Sequence, residues 1–204
     1  MIHLVNVGTK SQSRPRGREA VRTALLEAAA RLFVEHGPGA VSVRALAAEA
    51  DVNHGLVHQY FGSKDALVRA TLEHLAEELQ PIAEHATNVP ASIQPLLEAI
   101  NDRAAFVRLL GWLLLEGADP AALPTEFPVV RGALERVDRE LGDAPGRVDP
   151  RIVVAAFVSM AYGWLVFRRY IVEAARLEDH TELEILKGMG ELFGGMVEWN
   201  RSPD

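Results

Sequence analysis

The chain has 204 residues, no cysteine, 49% hydrophobic and 24% charged residues, and a formal net charge of -7. That length and apolar content allow a sizeable core, while the missing cysteines exclude disulfides, thiolate zinc sites and cysteine nucleophiles. The charge is unevenly placed: residues 1–64 carry +3 and the remainder -10. A small basic module on an acidic body is the pattern of a chain that meets a polyanion at one end.

Residues 1–17 are polar, with Gly8, Pro15 and Gly17, and basic at Arg14 and Arg16. They read as a flexible arm without the long apolar run or cleavage pattern of a secretory signal, so a cytoplasmic protein is expected. From Arg18 to His36 the apolar residues Val21, Leu25, Ala28 and Leu32 recur at helical spacing, and Gly37-Pro38 stops the run. Ser42 is placed to cap a short second helix, Val43 to Ala50. Asp51 and Val52 form a turn, and Asn53 is placed to cap a third helix ending near Phe61-Gly62. Ser63 caps a fourth, with Asp65 in its first turn, where the helix dipole favours negative charge. Val68, Leu72, Leu75 and Leu79 give that helix one apolar stripe, and Pro81 lies near its end.

The remainder also reads as helical. Pro90 to Pro95 breaks the chain, Ile93 to Leu115 forms two apolar helices divided near Asn101–Arg103, Gly117 to Pro124 a loop, and Thr125 to Leu141 another helix. Gly142 and Pro145-Gly146 stop it. Asp149-Pro150 is a start signal, an N-cap followed by proline at the first helical position, for a helix to about Arg176. Thr181 and Glu184 form a capping box that opens the last helix, to about Trp199. The run from Ile152 to Phe167 carries no charge over 16 residues. It is shorter than the 20 or so apolar residues of a membrane span. A helix apolar on every side, with no membrane, needs a protein partner as well as its own core. The fold class is all-α. It comprises an arm over 1–17, a small helical domain with its linking helix over 18–80, and a larger helical domain over 81–204.

Three short helices with a tight turn between the second and third make a helix-turn-helix. In this arrangement the second helix braces the third, whose exposed side chains meet base edges in the major groove. Val52, Val57 and Phe61 are placed to point inward, which leaves Asn53, His54, His58 and Gln59 outward; Gly55 allows close approach. His54 and His58, four apart, also have the spacing of a metal pair, but no third ligand is suggested nearby and no metal or cofactor is expected.

The stretch from Val43 to Leu67 resembles the DNA-binding domain of the TetR family of repressors. Its third helix ends in the aromatic pair Tyr60-Phe61, and Ser63-Lys64 opens the fourth helix as in that family. The resemblance covers residues 18–70; beyond that it is one of layout. It implies that Ser42 and Arg44 meet the DNA backbone or groove edge, and that Asn53, His54, Gly55 and Gln59 form the base-reading face. It further implies that His58, Tyr60 and Lys64 contact phosphate. A helix N-terminus attracts anions in its own right, so Lys64 is doubly placed. Three departures stand out. Asp51 occupies a position where the family often has glycine, which Asp tolerates in the left-handed conformation. His58 replaces the usual tyrosine, which makes its contact sensitive to pH. The third helix has no Arg or Lys, so the commonest guanine contact is unavailable from it. Tyr60 is equally placed to be a half-buried ring over the core.

The resemblance implies a homodimer built from the last two helices, a palindromic operator, and a ligand that re-spaces the recognition helices to release DNA. For that ligand, Phe106, Trp112, Phe127, Met160, Trp164 and Phe167 are candidates to line a pocket for a small, mainly apolar effector, or else simply fill the core. Gly188, Gly190, Gly194 and Gly195 in the last helix suggest close helix–helix approach. No Gly-x-Ser-x-Gly elbow, Gly-Lys phosphate loop or His-Glu-x-x-His site is present, so no catalysis is expected. The reading from another class is a helical ligand-binding or scaffold protein with a vestigial helix-turn-helix.

Overall fold

A computed structural model describes residues 15–77, 97–98, 101, 104–120, 123, 128–141 and 147–201. Among these residues every regular element is a helix. The helices are α1 (Arg18–His36), α2 (Val43–Glu49), α3 (Gly55–Phe61), α4 (Lys64–Glu77), α5 (Ala105–Leu115), α6 (Pro128–Leu141), α7 (Pro150–Ala174) and α8 (Glu182–Arg201). The arm before Pro15, the predicted continuation of the fourth helix beyond Glu77 with Pro81, the Pro90–Pro95 break, most of the segment from Ile93 to Arg103, the Pro145-Gly146 turn and Phe127 lie outside the described residues.

The boundaries follow local chemistry. Ser42 Oγ accepts the Ala45 N–H at 3.1 Å and Ser63 Oγ accepts that of Ala66 at 3.1 Å, each satisfying an orphan donor of a first turn. Asp149 caps α7 through the Arg151 N–H at 2.8 Å, with Pro150 first in the helix. Thr181 and Glu184 make the reciprocal box: Thr181 N donates to Glu184 Oε2 at 2.7 Å and Glu184 N to Thr181 Oγ1 at 3.3 Å. The end of α2 is a Schellman motif: Val52 N reaches Ala47 O at 2.9 Å and Asp51 N reaches Ala48 O at 3.2 Å. Asp51 sits at φ 51°, in the left-handed conformation its position demands. One boundary differs from the sequence expectation. Asn53 Oδ1 accepts the Gly55 N–H at 2.9 Å, so Asn53 caps, but His54 is the flanking residue and α3 proper begins at Gly55.

The core of the N-terminal helices is Leu25, Leu26, Phe33, Leu46, Val57, Leu67 and Leu72, all buried. Helix α1 packs on α2 and α4, and α3 packs on α2 and α4. Helix α5 lies against both α1 and α4, and α7 packs on α5 and α6, so a continuous core joins the two halves of the chain. Phe157 of α7 meets Phe193 of α8 edge to face, centroids 5.1 Å apart. The far end of the α7–α8 pair is clamped by Asn200, a buried amide. Its Oδ1 accepts the Val148 N–H at 2.7 Å, and its Nδ2 donates to Val148 O at 3.2 Å.

Helix α7 is long and apolar enough to cross a membrane by length and composition. Its arrangement is two-sided instead: Val154, Phe157, Ala161, Trp164 and Leu165 are buried within the chain, while Ile152, Phe167 and Tyr170 are exposed.

Candidate nucleic-acid interface

Helix α3 has seven residues and one buried position, Val57. Leu56, Tyr60 and Phe61 are half-buried against the core, and the Arg22 guanidinium lies 5.8 Å from the Phe61 ring centre. What remains is a polar stripe one turn deep: His54 and His58 four apart, Gly55 and Gln59 four apart, all exposed, with Asn53 at its N-terminal end. Helical spacing puts residues four apart on one face, so the stripe is continuous.

Each group arrives with part of its hydrogen-bonding capacity already used. The Ser42 oxygen accepts a backbone N–H, which leaves its hydroxyl proton to donate outward. Asn53 uses its carbonyl oxygen on Gly55 and keeps two amide donors. Gln59 is exposed and can present donor and acceptor together, the pairing that suits adenine. His58 Nδ1 lies 3.1 Å from Gly62 O. Arg44 is exposed on α2. Lys64 opens α4, and its Nζ lies 3.5 Å from Gly39 O in the loop between α1 and α2. Tyr60 is half-buried and packs against the core. Among the described residues no cluster of three or more metal-ligating side chains occurs.

Of the six residues considered for an effector pocket, five are described, and three of them share one core. Phe106 and Trp164 are buried in the core, and Met160 is half-buried against it. Trp112 is partly exposed and covers Gly37: a Cβ added there would come within 3.0 Å of Trp112 Cε3. Phe167 corrects the expectation, since at 57% exposed it stands on the outer face of α7, away from the core. A charge-free helix offers apolar residues on every side, so spacing could not choose its buried face. A cleft of about 560 Å³ opens beside Trp164, between the end of α7 and the start of α8. Its lining joins Trp164, Val172 and Ile185 to the charged Arg168, Arg169, Glu173, Glu178 and Glu182. Arg168 and Glu182 are paired at 2.6 Å.

Sequence reasoning missed two contacts. Gly37, Pro38 and Gly39 read only as a helix stop, yet this loop touches Trp112 from α5 and Lys64 from α4. The Gly62 carbonyl, read only as part of a helix end, orients His58.

The family model for bacterial regulatory proteins of the TetR family matches residues 25–71, a span that contains every residue from Ser42 to Lys64. The HTH-type transcriptional repressor Rv3405c of Mycobacterium tuberculosis is 34% identical over 194 residues, covering 93% of this chain and 96% of that protein. The chain belongs to the TetR family. As a TetR-family member it is a DNA-binding transcriptional regulator, and α2–α3 is its helix-turn-helix. Within the TetR family, the regulator BetI of Brucella anthropi is 45% identical over 58 residues, covering 28% of this chain and 30% of that protein. Salmonella enterica GusR shares the fold over 93% of this chain and all of its own length, with a TM-score of 0.68 at 17% identity. The TetR-family regulator PfmR of Thermus thermophilus does so over 83% and 96%, with a TM-score of 0.61 at 18% identity.

Proposed function

We propose that this chain is a cytoplasmic, ligand-responsive repressor that occupies a palindromic operator as a homodimer. The observation that carries this reading is the pairing of two unlike surfaces. One is the polar stripe on α3, and the other is an apolar face on α7 and α8 that its own chain leaves bare. Ile152, Phe167 and Tyr170 on α7 are exposed, as are Leu192, Met196 and Trp199 on α8. A Cβ added at Gly163, Gly188, Gly194 or Gly195 would meet nothing within 4 Å. These glycines therefore serve no close approach inside the chain, and a second copy packed on this face supplies one. Phe193, by contrast, is buried within the chain and belongs to the core rather than to that face.

In this reading Asn53, His54, Gly55 and Gln59 read bases, with Ser42, Arg44, His58, Tyr60 and Lys64 setting the register on the backbone. Residues 18–80 form the DNA-binding part and 81–204 the sensing and dimerisation part. Repression accords with the name of the mycobacterial relative. The effector is a small, mainly apolar molecule held among α5 and α7 near Phe106, Met160 and Trp164. Helix α5 gives it a route to DNA, since its Trp112 sits on the loop that Lys64 also touches. A ligand acts by stabilising one arrangement over another, and its effect on DNA affinity equals the effect of DNA on its own affinity.

The test is selection of bound sequences from a random DNA pool, with sedimentation of the protein alone. Palindromic output from a dimer supports the reading, with recognition helices about one DNA turn, roughly 34–36 Å, apart in the complex. A monomer that selects nothing rejects it in favour of a scaffold protein with a vestigial helix-turn-helix.

A further inference from the structure

His58 is held by a contact that decides what it offers to a partner. Its Nδ1 lies 3.1 Å from the Gly62 carbonyl oxygen. A carbonyl only accepts, so Nδ1 carries the proton. In the neutral ring the other nitrogen, Nε2, is then a bare acceptor. The anchor is firm, because Gly62 ends α3 at φ 76° and its own N–H is bonded to the His58 carbonyl at 2.9 Å. Side chain and backbone of His58 thus meet the same residue, four positions on.

At a DNA backbone this tautomer is the wrong one. A neutral Nε2 directs a lone pair at phosphate oxygens that have only lone pairs of their own. With a second proton on the ring, Nε2–H donates a charge-assisted bond outward while Nδ1–H keeps its bond to Gly62. Helix α3 has no lysine or arginine to make that contact in its place.

The surroundings give His58 no competing partner among the described residues. On α3 itself the titratable groups are His58 and Tyr60, with His54 one turn before. Asp51 lies in the preceding turn. Helix α2 brings Arg44 and Glu49, the latter held by Arg31 of α1 at 3.0 Å. Helix α4 brings Lys64, Asp65 and Arg69, with Glu73, His74 and Glu77 two to four turns further along. Arg22 of α1 lies over Phe61.

We propose that His58 is a proton-gated DNA contact: binding takes one proton from solvent onto His58 Nε2, so affinity for DNA rises as pH falls through the imidazole range. This rests on the proposed function, in which α3 reads DNA and His58 meets its phosphates. Uptake of that one proton changes the association constant by at most about tenfold per pH unit.

The experiment measures DNA affinity of the full chain at fixed salt from pH 5.5 to 8.5, on a fragment selected from a random pool, for the parent, His58→Gln and His36→Gln. His58 and His36 are exposed, and equal helix content by circular dichroism checks that the variants fold. The parent is expected to weaken with rising pH, His58→Gln to lose most of that dependence, and His36→Gln, outside the interface, to retain it. A His58→Gln profile parallel to the parent's overturns the proposal. So does a parent that binds tightly with a flat profile, which leaves DNA reading by α3 intact. A parent that binds no selected DNA at any pH overturns both. Nitrogen NMR of the free protein supplies a readout without DNA: the neutral His58 ring is expected with its proton on Nδ1, and a proton on Nε2 instead overturns the premise.

Discussion

Two helix pairs in this chain, α2–α3 and α7–α8, solve the same packing problem and then present opposite surfaces. Each buries one apolar stripe: Leu46 and Val57 in the first pair, Phe157, Trp164, Phe193 and Val197 in the second. Outside, α2–α3 shows Arg44, Asn53, His54, His58 and Gln59, whereas α7–α8 shows Ile152, Phe167, Tyr170, Leu192, Met196 and Trp199. Water satisfies the first set when nothing is bound, so that surface is stable alone and engages a partner conditionally. Water does not satisfy the second, and each Å² of it gains about 25 cal/mol when covered. On the reading proposed above, the outward residues, more than the fold, distinguish a reversible contact with DNA from a standing contact with a second copy.

The sharpest test of that division uses two neighbours in sequence. Phe193 is 4% exposed and Leu192 is 74% exposed. Phe193→Ala removes the edge-to-face partner of Phe157 and should cost about 3–5 kcal/mol of stability, read from the denaturant midpoint. Leu192→Glu should leave helix content unchanged while sedimentation shows monomers and DNA affinity falls at least about tenfold through loss of the second half-site. A Leu192→Glu protein that stays dimeric would break the comparison, because the apolar face would then not be the interface.

On the polar side the expected effects are smaller. Gln59→Ala should lose about 1–3 kcal/mol of discrimination at one base per half-site, seen as a relaxed position in the selected motif. Lys64→Ala should weaken all sequences alike and lower the salt slope by about one unit. If Lys64→Ala instead changes the selected motif, its reach toward Gly39 matters for shaping the interface rather than for touching phosphate.

How much of this was legible in the sequence depends on range. The caps at Ser42, Ser63, Asp149 and Thr181 involve groups two or three residues apart, so residue type and spacing suffice to place them. The left-handed Asp51 was equally local. The polar stripe of α3 was readable because its helix has a single period with polar residues on one side. Helix α7 offered no such contrast: Trp164 and Phe167 are three residues apart, one buried and one exposed, and only the position of α5 and α8 decides between them. The Asn200 clamp joins residues 52 apart, and Trp112 meets Gly37 from a distant helix. No local pattern encodes either.

Asp51 tests how finely the turn is tuned. A non-glycine residue at φ 51° carries a steric cost of roughly 1–2 kcal/mol, less for Asp than for most. Asp51→Gly should therefore raise stability by up to about 1 kcal/mol, while Asp51→Val should lower it. Thermal melts of the two variants measure the difference. Equal melting points would mean that the Asp side chain compensates fully for its backbone.

The smallest expected effect concerns the charge on a cap, where the two helix pairs again differ. Helix α2 is capped by the neutral Ser42, while α7 is capped by Asp149, whose carboxylate also takes the Arg151 guanidinium at 2.6 Å. The Arg151 side-chain bonds, and then its backbone N–H, hold the Asp149 carboxyl down at about 2 from an ordinary 3.8. The folded chain therefore binds that proton less readily than the unfolded one. The resulting stability is fully present above about pH 4 and is lost as pH falls toward 2. Asp149→Asn keeps an acceptor for the Arg151 N–H but removes the charge. Parent and variant should thus differ modestly in melting temperature at pH 5 and converge near pH 2, with the difference shrinking in high salt because the pair is at the surface. Val148, next to the cap, is clamped to Asn200, so loosening this end of α7 also loosens the end of α8. Ser42→Ala should show no such convergence, its effect being the same at both pH values. A constant offset for Asp149→Asn across the range would mean that the geometry of the cap, and not its charge, holds the start of α7.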